Sequence, residues 1–205
     1  MNEDTSTRTA LIGAARDLFV RHGYDGTSIR AITSRAGVNL GAVTYHFGSK
    51  DGLYDAVAAS VAEPLRAHLE AVAARPGDAV QRLDTVVRGL FAYLLEHPEV
   101  PGFVVQHLAS SREPPPALRA VVEANMGIIA GIIQEGQAAG AIRDGDPRLL
   151  ALSIAAQPIW LALVRRLVHH TFAIDQEQPE TRAELIETAA RFVRAGVTAS
   201  ATERS

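Results

Sequence analysis

The chain of 205 residues contains no cysteine. That absence excludes a disulfide framework, thiolate chemistry and thiolate metal ligation. No stretch approaches ~18 unbroken apolar residues, so no membrane span is expected. The polar, acidic start from Met1 to Arg8 is unlike a signal peptide, and a cytoplasmic location is expected. Strand-like alternation and internal repeats are missing too. Positive charge is scarce, with a formal net charge of −3 at pH 7. The scarcity is uneven. Residues 1–50 hold six basic against four acidic side chains, while the remainder holds 14 basic against 19 acidic. The +2 of the first part and the −5 of the second place the positive excess where a polyanion could dock.

Catalytic signatures are missing as well. The seven histidines, His22, His46, His68, His97, His107, His169 and His170, form no His-Glu-x-x-His pair. There is no Gly-x-Ser-x-Gly elbow, no phosphate-binding Gly-Lys-Ser/Thr loop and no dinucleotide fingerprint. No metal, no cofactor and no enzyme are expected. Hydrophobic residues make up 47% and charged residues 21%, which fits a globular chain of one or two domains.

What the chain does carry is concentrated in residues 27–54. Thr27 or Ser28 can cap a helix, and Gly37 can end it in the left-handed conformation that a side chain resists. Asn39 can cap a second helix running to about His46. Two helices joined this closely form a helix-turn-helix, whose second helix enters the DNA major groove. At 100° per residue, Val43 and Phe47 share one face of that helix, with Val38 below. Gly41 and Tyr45, flanked by Ala42 and Thr44, occupy the opposite arc. That arc is small, hydroxylated or aromatic and nearly uncharged, a composition that allows close approach to base edges. Arg30 suits a bidentate contact to guanine. Ser28, His46 and Lys50 are assigned to phosphates, and Asn39 and Leu40 lie at the same edge.

Gly41-Ala42-Val43-Thr44-Tyr45-His46-Phe47-Gly48-Ser49-Lys50-Asp51-Gly52-Leu53-Tyr54 resembles the recognition helix and following helix of TetR-like transcriptional regulators. Gly23-Tyr24-Asp25-Gly26-Thr27-Ser28-Ile29 resembles that family's link between its first two helices. The likeness is dense from about residue 8 to residue 57. One departure stands out: the position before Tyr45-His46-Phe47 is often tyrosine in the family and is Thr44 here, so base preference does not follow. The resemblance implies an all-helical, ligand-responsive repressor that binds a palindromic operator in double-stranded DNA as a homodimer.

The rest of the chain reads as helices only. Helix one is expected from about Thr7 to His22, on the stripe Leu11, Ala15, Leu18 and Phe19. Helix four starts near Ser49, with Pro64 predicting a kink or break. Pro76-Gly77-Asp78 precedes a helix to about His97. Pro98–Gly102 reads as a connector and Phe103 to about Ser111 as a short helix. Further helices are expected over Ala117 to about Ala139, Pro147 to about Thr171 and Pro179 to Thr198, about nine in all. The expected division is residues 1–50 for DNA binding and residues 51–205 for effector binding and dimerisation.

The helix from Pro147 is apolar nearly all round, which requires cover on two sides. The resemblance implies that it and the last helix build the dimer interface. The candidate residues are Val164 and Val168 on the first, and Leu185, Ala189, Phe192, Val193 and Gly196 on the second. The resemblance also implies a small-molecule pocket among the middle helices. Its candidate lining is Phe91, Leu94, Phe103, Gln106, His107 and Met126, with Ile129, Ile133, Gln157, Trp160 and Leu161. This mostly apolar set with a few polar groups suits a moderately apolar effector. Gly89, Gly127, Gly131 and Gly136 interrupt these helices, permitting either close packing or room for a ligand. An all-helical enzyme, or a scaffold without DNA affinity, is the alternative reading.

Overall fold

In the computed structural model, the structure describes residues 3–108, 110 and 113–199. They form ten helices, and the only β-type pairing among them is one isolated bridge between Ile142 and Thr198. The contacts divide the chain into two compact units, one of residues 1–64 and 99–121, the other of residues 65–98 and 122–205.

The first unit begins with α1 (Glu3–His22), α2 (Ile29–Ala36) and α3 (Gly41–Phe47). It also takes in α4 (Lys50–Ala73) as far as Pro64, α6 (Glu99–Leu108) and α7 (Pro116–Ala138) as far as Val121. α1 starts four residues earlier than its apolar stripe predicts. Leu11, Ala15 and Phe19 of that stripe are fully buried, together with Ile32, Val43, Leu53, Val57 and Phe103. α6 corrects the expected connector. The helix starts at Glu99, because Pro101 falls in its first turn, where a missing N–H leaves no bond unmade. The expected end of this segment at Ser111 lies outside the described residues.

The second unit holds the remainder of α4 and α7, α5 (Ala79–Glu96), α8 (Pro147–Leu163), α9 (Arg165–Phe172) and α10 (Pro179–Val197). α5 opens on a complete capping box: Asp78 accepts from the Gln81 N–H, and the Gln81 side chain accepts from the Asp78 N–H. Its face Leu83, Val86, Val87, Leu90, Phe91 and Leu94 is buried with Ile129, Ile132 and Ile133 of α7. By length and composition α7 could cross a bilayer, yet these isoleucines lie in the core of the unit. Pro64 does not break α4; Val61, Leu65 and Leu69 stay buried around it, so packing outweighs the lost hydrogen bond.

The single long helix expected from Pro147 is instead two. Val164, at φ −88° and ψ 7°, ends α8, and α9 departs at 67°. An apolar pattern that continues on both sides of a bend gives no sign of it. The helical glycines differ, and a Cβ at Gly89 would meet His68 and Val72 at 3.2 and 3.3 Å. A Cβ at Gly136 would sit 2.5 Å from the Ile142 side chain, so only glycine permits that packing, whereas Gly127 and Gly131 face open space.

Candidate nucleic-acid interface

The two motif helices are fixed by their caps. Ser28 Oγ accepts from the Ala31 N–H at 3.1 Å and starts α2. Gly37, at φ 68° and ψ 30°, ends it in the left-handed region. α3 starts differently from expectation. Asn39 does not cap it through its side chain; Leu40 is the N-cap residue and no side chain caps the helix. The Asn39 carbonyl accepts from the Ala42 N–H at 3.1 Å instead.

α3 is held by a wider inward arc than Val43 and Phe47 alone. Ala42 is 7% exposed, and the His46 side chain is likewise only 7% exposed. The two lie one turn apart, so they share a face beside Val43. This corrects the placement of Ala42 on the open arc, and it turns the His46 side chain inward. The His46 ring packs edge-on to Tyr45, and its Nδ1 lies 3.7 Å from the Asp4 carboxylate. The outward set that remains is Leu40, Gly41, Thr44 and Tyr45, with Tyr45 78% exposed, and Ser28, Arg30 and Asn39 are exposed in the same unit.

Lys50 is anchored within the unit. Its Nζ donates to the Tyr24 carbonyl at 2.6 Å and lies 4.0 Å from the centre of the Tyr24 ring. The Tyr24 hydroxyl in turn donates to Asp51 at 2.8 Å. This clamp ties the α1–α2 link to the start of α4, a role that sequence reasoning did not assign to Lys50. The Ser49 hydroxyl accepts from the Gly52 N–H and so caps α4, near whose expected start it lies. α1 adds further ties that were missed: Asp17 pairs with Arg35 of α2 at 2.5 Å, and Arg8 lies over the Phe47 ring. Long polar side chains pairing across tens of residues leave no periodic trace in a sequence.

The expected pocket residues fall in both units. In the first, Phe103 and His107 are buried and Gln106 is half-buried; His107 Nδ1 lies 3.2 Å from the Tyr54 hydroxyl. In the second, Phe91, Leu94, Ile129 and Ile133 are buried, while Met126, Gln157 and Leu161 are half-buried. Trp160, expected in the pocket wall, is 63% exposed. A buried polar residue that sequence reasoning missed is Asn125, whose Oδ1 has no partner.

The expected dimer residues divide as well. Ala189 and Val193 are buried within the unit, Val164, Val168 and Leu185 are half-buried, and Gly196 and Phe192 are exposed, Phe192 by 69%. Leu149, Leu152, Leu163, Leu167 and Phe172 of α8 and α9 are exposed too. α10 is tied to α5 by charge. Burial opposes ionisation of Asp84, but hydrogen bonds from Arg194 and Arg88 outweigh it and hold its carboxyl below the ordinary value. Arg88 also bonds Glu187 at 2.6 Å, which lowers that carboxyl. The Arg148 side chain and N–H bring exposed Asp146 down to about 2 at the α8 cap.

The model of bacterial regulatory proteins of the tetR family matches residues 11–57, and that of the tetracyclin repressor-like C-terminal domain matches residues 79–193. The HTH-type transcriptional repressor AcnR of Corynebacterium glutamicum is 35% identical over 57 residues, 28% of this chain and 30% of that protein. The HTH-type transcriptional repressor NicS of Pseudomonas putida is 30% identical over 145 residues, 67% of this chain and 66% of that protein. The chain thus spans less than two thirds of the length of these curated relatives. The crystal structure of a TetR family transcription regulator from Marinobacter aquaeolei VT8 shares the fold, with a TM-score of 0.78, 20% identity, and coverage of 96% of this chain and 98% of that one. The two matched models together span the motif helices and most of the second unit, and this chain belongs to the tetR family of bacterial regulatory proteins.

Proposed function

We propose that the chain is a DNA-binding transcriptional regulator, a repressor that binds a palindromic operator as a homodimer and is released by a small apolar effector. The observation that carries the reading is the outward face of α3. Leu40, Gly41, Thr44 and Tyr45 are exposed on a helix whose other side is buried. An exposed tyrosine and leucine beside small residues would be a poor solvent face but make good contacts to base edges and thymine methyl groups. Arg30 and Asn39, exposed in the same unit, add donors. The relatives AcnR and NicS are named as transcriptional repressors.

The exposed Leu149, Leu152, Leu167, Phe172 and Phe192 support pairing with a second copy. Two α3 helices would then meet half-sites about 34–36 Å apart, one turn of DNA. An effector lowers operator affinity only by binding the other conformation more tightly. In this reading the DNA-binding part is residues 1–50, residues 51–205 bind effector and partner, and the protein works in the cytoplasm. Selection from a random duplex library tests the proposal. A palindromic motif, bound by two chains per duplex in sedimentation, is the expected result; absence of any enriched motif would refute it.

A further inference from the structure

The last two residues of α3 each meet a charged side chain of α1. Asp4 Oδ1 lies 3.7 Å from His46 Nδ1, and the Arg8 guanidinium lies 5.3 Å from the centre of the Phe47 ring. Asp4 and Arg8 are four residues apart, so they share one face of α1. His46 passes the contact outward. Its ring stands edge to face with that of Tyr45, 4.9 Å apart at 82°.

The two rings differ in freedom. The His46 side chain is 7% exposed and is enclosed by its unit, whereas Tyr45 is 78% exposed. The Tyr45 hydroxyl makes no hydrogen bond, and its ring meets no other ring, among the described residues. An exposed side chain chooses among staggered rotamers of similar energy, so one contact decides which it adopts. When the imidazole carries a proton, Asp4 and His46 form an ion pair. A surface pair biases an equilibrium by at most about fivefold. That is little for folding, yet it is enough to select a rotamer.

We propose that Asp4 is a positioning residue for DNA recognition, acting through His46 to hold the Tyr45 ring in the pose that meets base edges. The proposal rests on the reading of the α3 face given above. Two plainer roles of Asp4 have a different signature. A carboxylate in the first turn of α1 suits the helix dipole, and any acidic group opposes a polyanion. Both act whichever way the carboxylate faces, and the second acts on every duplex alike. The brace acts only from position 4.

The test compares the parent with Asp4→Glu, Asp4→Asn and the double variant Asp4→Asn, Thr5→Asp. The double variant keeps the net charge and the charge near the helix N-terminus but turns the carboxylate about 100° round the helix. Affinities at pH 6 are measured for an operator duplex selected from a random library and for a scrambled duplex. Proton NMR without DNA follows the nuclear Overhauser contact between the Tyr45 and His46 rings. Asp4→Glu should behave as the parent does. Asp4→Asn and the double variant should each lose operator preference over the scrambled duplex by about three- to fivefold, with a weakened ring contact. The double variant should bind the scrambled duplex as the parent does and keep its melting temperature. Operator preference equal to the parent's in the double variant, or a loss of preference with the ring contact intact, would overturn the proposal. A parent that prefers no selected duplex would overturn the α3 reading and the proposal with it. The ring contact, measured without DNA, tells that failure from a failure of Asp4 to hold the ring.

Discussion

Helices α3 and α9 are nearly equal in length, seven and eight residues, and both display large apolar side chains to solvent. α3 buries Ala42 and Val43 and tucks His46 inward, so Tyr45 stands on a fixed support. α9 buries nothing, and Leu167 and Phe172 stand exposed beside Arg165, Arg166, His169 and His170. Neither helix is long enough to hold its shape alone in water. α3 is held by its own unit. α9 lacks that support, and a second chain is the cover proposed for its apolar side. An exposed aromatic on a pinned helix therefore reads as a presented contact, and one on an unpinned helix as an unfinished interface.

The largest effect should come from attacking the support of α3. Val43→Asp places a carboxylate at a fully buried position and should cost several kcal/mol, lowering the melting temperature and abolishing DNA binding together. The matching change in α9, Leu167→Asp, sits at an exposed position and should leave the helical circular dichroism signal intact. It should move the sedimentation coefficient from dimer to monomer at micromolar concentration. Equal losses of stability in both variants would erase the contrast between the helices.

A middle-sized effect is expected at the tie between α5 and α10. The carboxyls of Asp84 and Glu187 are lowered in the folded chain, so the stability they contribute is present above the unfolded carboxylate range and lost as pH falls through the folded values. Asp84→Asn should therefore lower the melting temperature at pH 7, and the gap to the parent should narrow as the pH falls below the ordinary carboxylate range. A gap that stays constant down to pH 2 would show that the ion pairs contribute nothing that titrates.

The smallest effect belongs to Lys50. Its ammonium is engaged with Tyr24, so Lys50→Ala should cost about 1 kcal/mol of stability in thermal melts. It should also flatten the salt dependence of DNA binding by about one unit if a phosphate shares the same ammonium. An unchanged melting temperature would show that the Tyr24 clamp is not stabilising.

Legibility followed the same contrast. Ser28, Gly37 and Ser49 placed the ends of α2 and the start of α4, because caps and left-handed turns demand particular residue types. Seven residues are too few to show by periodicity how wide a buried arc is, and so Ala42 was placed on the wrong side of α3 and the inward turn of the His46 side chain was not foreseen. In the second unit the apolar run from Leu149 to Val168 carried no mark of the bend at Val164. Pro101 looked like a connector because proline is harmless in the first helical turn yet reads as a breaker. The Lys50–Tyr24–Asp51 clamp and the Arg88 network join residues far apart in sequence, where pattern arguments have no reach.

The central claim is that the outward face of α3, led by Tyr45, reads duplex DNA. Its most direct test is titration of a selected operator duplex and a scrambled duplex with the parent and with Tyr45→Ala, at two salt concentrations. Tyr45→Ala should weaken operator binding by roughly 1–3 kcal/mol, leave the scrambled duplex and the salt slope unchanged, and keep the parent melting temperature. Operator affinity equal to that of the parent would contradict the account.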